Sequence, residues 1–105
     1  MEKIRDQQRI KQVVTDAGHK VVVLMFMNIK CPHCRRAIPG MDKLALETNI
    51  AIILRCDVGE NPSFAKEYDI QAVPEYFFIK SGTLRDRITG ADKKTVESRI
   101  QQLSV

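Results

Sequence analysis

The sequence predicts an α/β domain in which a central mixed β-sheet is flanked by helices on both faces. Three short runs of β-branched or aromatic residues, 21–27, 50–54 and 76–79, lack polar alternation, as strands buried on both sides do. Amphipathic helical patterns separate the runs, and strands that alternate with helices are typical of an α/β fold. A length of 105 residues allows one domain, which we place at residues 1–105.

The first half of the chain predicts two strands and two helices. Residues 2–5 form a short edge strand, and residues 6–17 carry apolar side chains at helical spacing before Gly18 ends the helix. The unbroken apolar run 21–27 predicts a central strand. A second amphipathic helix follows over residues 34–47.

The second half adds three strands and two helices. The apolar run 50–54 predicts the next strand, and the short helix over 62–68 begins with a proline, which suits the first helical turn. A turn joins the run 76–79 to a last strand at 84–88. Asp92 is placed as the N-cap of the final helix. The element order is therefore β-α-β-α-β-α-β-β-α, with right-handed crossovers between parallel strands.

The composition excludes several classes of function. Lysine and arginine number 17 and aspartate and glutamate 13, which leaves a net charge of +4. The basic residues are scattered except for Lys30, Arg35 and Arg36, so we expect a solvated surface and no nucleic-acid partner. The longest apolar run, 21–27, is far shorter than the ~20 residues that cross a bilayer. Because the N-terminus lacks a signal-peptide pattern, we expect a cytoplasmic location. We also expect a monomer that does not bind a membrane.

The tetrad Cys31-Pro32-His33-Cys34 is the main candidate site. It follows a buried strand and opens a helix, which is where α/β folds place active groups. Free N–H groups and the helix dipole at the helix N-terminus stabilise a Cys31 thiolate, the nucleophilic form of the thiol. Cys34 lies one turn deeper and is placed to attack a mixed disulfide at Cys31. His33 and Lys30 are expected to lower the Cys31 pKa further below its free value of ~8.5.

Three further points concern metal binding by the cysteine pair, the third cysteine Cys56 and the proline Pro74. Two cysteines at this spacing are also half of a zinc site, but His19 and Cys56 form no second close ligand pair, so metal binding is the weaker alternative. Cys56 ends an apolar run and is expected to be a buried, inert thiol. Val73–Pro74 directly precedes the strand at 76–79, and a cis peptide bond explains a proline at that position.

Taken in order, these motifs resemble the thioredoxin family over nearly the whole chain. The matching features are the long strand, the tetrad Cys31-Pro32-His33-Cys34, Pro39, and the segments 57–62, 70–74 and 80–83 with Gly90. The resemblance implies the thioredoxin fold and a thiol–disulfide oxidoreductase that uses no cofactor and no metal ion. It also implies that the partners are protein disulfides or dithiols and an upstream reductase or oxidant.

The resemblance assigns roles to individual residues. Cys31 would be the attacking thiol and Cys34 the resolving thiol. Pro74 would be a cis-proline packed against the cysteine pair, with the Val73 backbone pairing with an extended substrate segment. Gly90 would let the substrate chain pass close to the surface. The other expected roles are catalytic for His33, substrate-binding for Lys30 and structural for Pro32, at the first helical turn, and Pro39, at a helix kink.

The tetrad departs from the family pattern. Lys30 replaces a tryptophan, and Pro32-His33 replaces Gly-Pro with a dipeptide that looks like that of bacterial periplasmic disulfide oxidases. A stabilised Cys31 thiolate stabilises the reduced dithiol, so we expect a couple more oxidising than ordinary thioredoxin.

Three positions outside the tetrad also depart from the pattern. Met25 stands where the family buries an aspartate that assists the resolving thiol. Arg55 stands near the site of a buried lysine, and Glu75 is expected to add negative charge near the cleft. These changes leave open a second alternative, a binding or adaptor module of the same fold without turnover.

Overall fold

The fold has five strands and four helices in the predicted order. They are seen in a computed structural model that describes all of residues 1–105. The elements are β1 (Glu2–Ile4), α1 (Gln7–Ala17), β2 (Val21–Met27), α2 (Pro32–Glu47), β3 (Ala51–Asp57), α3 (Pro62–Glu67), β4 (Glu75–Lys80), β5 (Thr83–Thr89) and α4 (Lys93–Leu103). The predicted fold class is confirmed. None of the four helices has the length and apolar content that crossing a bilayer requires.

The sheet is mixed, and β2 lies at its centre. The strand order is β1-β3-β2-β4-β5. β1 and β2 run parallel to β3, whereas β4 runs antiparallel to both β2 and β5. Parallel neighbours need crossover helices, which α1 and α2 provide. The carboxyl ends of β2 and β3 therefore meet at one edge of the sheet, beside the start of α2.

The hydrophobic core forms two layers, one on each face of the sheet. Every residue of β2 is buried, which is why this strand shows no polar alternation. Its odd-numbered residues, such as Met25, pack with Cys34 and Tyr76 in the layer shared with α2 and α4. Its even-numbered residues, such as Phe26, pack with Phe77 in the layer shared with α1 and α3. Burial on both faces fixes the position of β2 and of the residues that follow it.

Several element boundaries differ from the sequence-based prediction. β1 ends at Ile4 instead of residue 5, β4 spans Glu75–Lys80 instead of 76–79, and β5 spans Thr83–Thr89 instead of 84–88. β3 spans Ala51–Asp57 rather than 50–54, because it continues past its apolar run through the half-buried Arg55. α3 ends at Glu67, and Tyr68 is its C-cap. α2 begins at Pro32, two residues before the predicted start, and it continues through Pro39.

An aromatic cluster holds α3 against the sheet and allows a test of the core. Phe26 contacts three aromatic rings, with centroid distances of 6.5 Å to Phe64, 5.1 Å to Tyr68 and 4.9 Å to Phe77. We predict that Phe26→Ala lowers the free energy of unfolding by about 3–5 kcal/mol, because it removes a fully buried ring and leaves a cavity. Urea unfolding followed by circular dichroism measures this change.

The matched control is Leu46→Ala, which also truncates a large apolar side chain. Leu46 lies on α2 and is 87% exposed, so its loss should change the free energy of unfolding by no more than about 0.5 kcal/mol. Equal losses in the two variants would contradict the assignment of Phe26 to the core.

Candidate active site

Cys31 lies at the junction where the buried strand β2 passes into α2. It is the N-cap of α2, with extended backbone angles, and Pro32 follows in the first helical turn. A tight turn leads to it, since the Cys31 N–H donates to the Asn28 carbonyl at 2.9 Å and the Lys30 N–H donates to Asn28 Oδ1 at 3.0 Å. The first amides of the helix have no carbonyl partner within it and are free to face the Cys31 sulfur.

A buried carboxylate from the neighbouring strand secures this turn. Asp57, only 6% exposed, accepts a hydrogen bond from the Ile29 N–H at 3.3 Å. Its other oxygen accepts from the Gly59 N–H at 2.8 Å and the Glu60 N–H at 3.2 Å. Sequence reasoning missed this role, although an aspartate two residues before a glycine is a known signal for a side-chain-capped turn.

The environment of Cys31 favours its thiolate. Two hydrogen bonds to the Cys31 sulfur lower the pKa of Cys31 below its ordinary value. The larger contribution comes from the backbone N–H of Cys34 and the smaller one from the Cys34 thiol. The His33 backbone N–H and the positive charge of Arg36 act in the same direction. Cys31 is half-buried, so its sulfur is reachable from outside.

Cys34 lies one turn deeper, in an apolar environment. It is fully buried, and desolvation raises its pKa to about 11. Cys34 belongs to the same core cluster as the Met25 thioether and the Tyr76 phenol, and the negative charge of Asp57 acts on its pKa in the same direction as burial. Burial raises the pKa of Tyr76 to about 12, which keeps that phenol neutral at physiological pH. Cys34 is therefore a thiol in the reduced protein.

The third cysteine is separate from this pair. Cys56 is buried in the core layer on the α1 and α3 side, whereas Cys34 belongs to the opposite layer. Burial raises the pKa of Cys56 to about 12, so the thiol stays protonated at neutral pH. All three cysteines are free.

The loops that carry Pro74 and Gly90 lie side by side next to the tetrad. The Val73–Pro74 peptide bond is cis, Pro74 is buried and Val73 is half-buried. The Gly90 N–H donates to the Pro74 carbonyl at 2.8 Å. Gly90 has a φ of 68°, which favours glycine, and a Cβ there would lie 3.8 Å from Cε1 of His33. The structure thus brings together residues that are far apart in sequence.

The basic residues near the tetrad differ in what their charged groups act on. Lys30, Arg35 and Arg36 are all exposed. The Arg35 guanidinium folds back, and its Nη1 donates to the Ile29 carbonyl at 3.0 Å. Arg35 therefore supports the turn before the tetrad, while the positive charge of Arg36 lowers the pKa of Cys31.

The expectation that Glu75 adds negative charge near the cleft is wrong. Glu75 is 6% exposed and is paired with Arg87, whose Nη2 lies 2.8 Å from Oε2 and whose Nε lies 3.2 Å from Oε1. Thr89 donates a further hydrogen bond to Glu75 at 3.3 Å. The carboxylate is therefore buried and compensated.

Arg55 does not take part in an ion pair near the cysteines. It is half-buried, its Nε has no hydrogen-bond partner, and it lines a cavity of about 40 Å³ with Met27, Ile29 and Asp57. No group of three or more histidine, cysteine, aspartate or glutamate side chains is arranged to hold a metal ion.

Comparison with known proteins identifies the family. The sequence model of the Thioredoxin family matches residues 2–102. The chain belongs to the thioredoxin family. It is 36% identical over 84 residues to thioredoxin H4 of Arabidopsis thaliana, covering 79% of this chain and 71% of that protein. It is also 36% identical over 92 residues to thioredoxin of Geodia cydonium, covering 87% of each chain.

Solved thioredoxin structures agree with the fold over almost the whole chain. Thioredoxin f from spinach chloroplast superimposes with a TM-score of 0.89 at 30% identity, covering 99% of this chain and 93% of that one. Fasciola hepatica thioredoxin gives a TM-score of 0.90 at 25% identity, covering 97% and 98%. The protein is therefore a thiol–disulfide oxidoreductase of this family, and protein disulfides are its general kind of partner. The predicted family and enzyme class are confirmed.

The electrostatics of the three thiols predict the pH dependence of alkylation. Only the thiolate reacts, so iodoacetamide should modify Cys31 first, with a midpoint below the ~8.5 of a free thiol because its pKa is lowered. At pH 8, Cys34 and Cys56 should stay unmodified until the protein is unfolded, because their pKa values are about 11 and about 12. Mass spectrometry of peptides from the reduced protein measures each site.

The control for the alkylation experiment is Cys31→Ser, which should abolish the fast reaction. A Cys31 midpoint at or above ~8.5 would contradict the stabilised thiolate and would favour the adaptor alternative.

Proposed function

We propose that the protein exchanges disulfides through a mixed disulfide formed at Cys31 and resolved by Cys34. The Cys31 thiolate attacks one sulfur of a substrate disulfide, and the other substrate sulfur leaves as a thiolate that takes up a proton. The Cys34 thiol then loses its proton and attacks the Cys31 sulfur, which releases the second substrate thiol. The substrate disulfide is reduced by two electrons while the Cys31–Cys34 dithiol is oxidised to a disulfide.

The observation that carries this proposal is the opposite environment of the two thiols. Backbone amides at the start of α2 favour the thiolate of the accessible Cys31, whereas burial favours the thiol of Cys34. A nucleophile must be ionised and reachable, and a resolving thiol must stay inactive until the mixed disulfide exists. The hydrogen bond from Cys34 to the Cys31 sulfur supports contact between the two groups.

The surrounding residues are proposed to position an extended substrate segment. Val73 precedes the cis-proline Pro74, and its backbone is the proposed pairing partner for the substrate chain. Gly90, without a side chain, leaves room for that chain to pass. Lys30, exposed directly before Cys31, is proposed to contact the substrate where other members carry an aromatic residue.

We also propose that the couple is more oxidising than ordinary thioredoxin. The support is the charge around Cys31, where Arg36 stabilises the thiolate and therefore the reduced form. His33 is proposed to add a donor or a positive charge from its exposed position beside Gly90. We further propose that the protein is cytoplasmic and monomeric. Its content of three cysteines is consistent with a compartment where thiols stay reduced.

The mechanism predicts different products from two cysteine variants. Cys34→Ser should accumulate a covalent complex with a disulfide substrate such as insulin, because attack can occur but resolution cannot. Cys31→Ser should lower the rate of insulin reduction to that of the uncatalysed reaction, because the nucleophile is lost. Non-reducing electrophoresis and turbidity measure the two outcomes.

The control for the cysteine variants is Cys56→Ala, which changes a buried thiol outside the pair and should leave the rate unchanged. Full activity of Cys31→Ser would refute the proposed mechanism, and an untrapped Cys34→Ser would point to the adaptor alternative.

The proposed redox character predicts a reduction potential less negative than the ~ −270 mV of thioredoxin. Equilibration with glutathione buffers, followed by counting of free thiols, measures the potential of the Cys31–Cys34 pair. His33→Ala should shift the potential to a more negative value by removing the imidazole. A wild-type potential at or below ~ −270 mV would contradict the proposal.

A further inference from the structure

The surface beside the tetrad contains a groove lined in part by basic side chains. It has a volume of about 300 Å³ and runs between the start of α2 and the start of α4. Its lining includes His33, Arg36, Ala37, Gly40, Ala91 and Lys93. We call it the His33–Lys93 groove. His33 lies between the two cysteines and Arg36 follows Cys34 by two residues, so the groove begins where a substrate disulfide would react.

The surface at the groove and the adjoining tetrad carries a net positive charge. No aspartate or glutamate occurs in the sequence between Asp16 and Asp42, a stretch that includes Lys30, Arg35 and Arg36. Arg36 is exposed, and the Lys93 ammonium has only an exposed ion pair with Glu97 at 3.7 Å, which is weak.

Few acidic side chains oppose these charges. Asp92 lines the groove, but its carboxylate caps α4 by accepting from the Thr95 N–H at 2.8 Å. Asp57 is buried and accepts backbone N–H groups. Asp92 keeps its negative charge, as does Glu97 beside Lys93, but the cations Lys30, Arg35, Arg36 and Lys93 outnumber them on the surface that an incoming chain meets.

We propose that the His33–Lys93 groove binds an acidic segment of the protein substrate, so that the protein selects disulfides with carboxylates close by. This inference rests on the proposed exchange at Cys31 and adds a substrate class to it. Carboxylates of the segment would pair with Arg36 and Lys93 while the neighbouring disulfide lies at Cys31. Complementary charge raises the rate of productive encounter more than it raises affinity.

Three disulfide probes test the selectivity. Two synthetic peptides share one intramolecular disulfide and differ only in having glutamates or lysines next to the second cysteine. The uncharged bis(2-hydroxyethyl) disulfide is too small to occupy the groove and reports the intrinsic reactivity of Cys31. We expect the glutamate peptide to react about tenfold faster than the lysine peptide at low salt, and the ratio to approach one at about 0.5 M salt.

Paired charge variants locate the effect. The double variant Arg36→Gln, Lys93→Gln should lower the rate with the glutamate peptide about fivefold relative to the rate with the uncharged disulfide. The relative rate matters because Arg36 also acts on the Cys31 pKa. The matched control Lys11→Gln, Lys66→Gln removes the same charge from exposed positions on α1 and α3, across the sheet, and should leave the relative rate unchanged. Equal rates for the two peptides, or equal effects of the two double variants, would overturn the proposal.

A binding experiment separates this inference from the exchange mechanism. The Cys31→Ser, Cys34→Ser variant and a glutamate peptide with serines for cysteines cannot exchange disulfides. Changes in the NMR chemical shifts of the His33, Ala37 and Lys93 amides would support binding of the acidic segment in the groove. If exchange with the uncharged disulfide failed at the same time, that failure would count against the proposed function alone. Absence of those shifts, or larger ones with a short single-stranded oligonucleotide, would overturn the acidic-segment assignment.

Discussion

The site depends on the position of the α2 N-terminus at the end of the central strand β2. β2 is buried along its whole length, and Asp57 ties the following turn to β3. The first amides of α2 are thereby fixed around the Cys31 sulfur. The backbone N–H of Cys34 contributes most to stabilising the thiolate, the Cys34 thiol comes next, and the His33 N–H and the Arg36 charge contribute less. A preorganised group of N–H donors needs no rearrangement when the charge forms, which makes it more effective than water.

In the proposed mechanism, the hydrogen bond from the Cys34 thiol to the Cys31 sulfur also sets the order of events. Burial is the main cause of the high pKa of Cys34, but the hydrogen bond it gives to Cys31 and the negative charge of that thiolate raise it further. Both contributions end when Cys31 enters a mixed disulfide, because the sulfur is then neutral and a weaker acceptor. Formation of the intermediate therefore eases deprotonation of Cys34. Met25 provides no carboxylate that could take the Cys34 proton. The loss of the two contributions from Cys31 that raise the Cys34 pKa therefore matters more for deprotonation of Cys34.

The sequence predicted the elements whose signals are local. β2 was placed to the residue because its apolar run is unbroken, and Asp92 was recognised from the spacing of the apolar residues after it. β3 was misplaced at both ends, since Arg55 and Asp57 interrupt its apolar pattern within a strand defined by its neighbours. The roles of Asp57 and Arg87 were missed for a related reason. Each acts on a residue distant in the chain, Ile29 and Glu75 respectively, and periodicity carries no information about such contacts.

Charge links the reactivity of the thiol to the surface around it. Glu75 is neutralised by Arg87 beneath the cis-proline loop, and Asp92 and Asp57 direct their carboxylates at backbone N–H groups. Asp57 and Glu75 are thus buried, and around the tetrad the exposed basic residues outnumber the exposed Asp92 carboxylate. Because Arg36 both stabilises the Cys31 thiolate and lines the adjoining groove, a change at this residue would alter reactivity and the proposed substrate preference together. Lys93 lines the groove from α4 instead, so it offers a way to vary preference with the thiol unchanged.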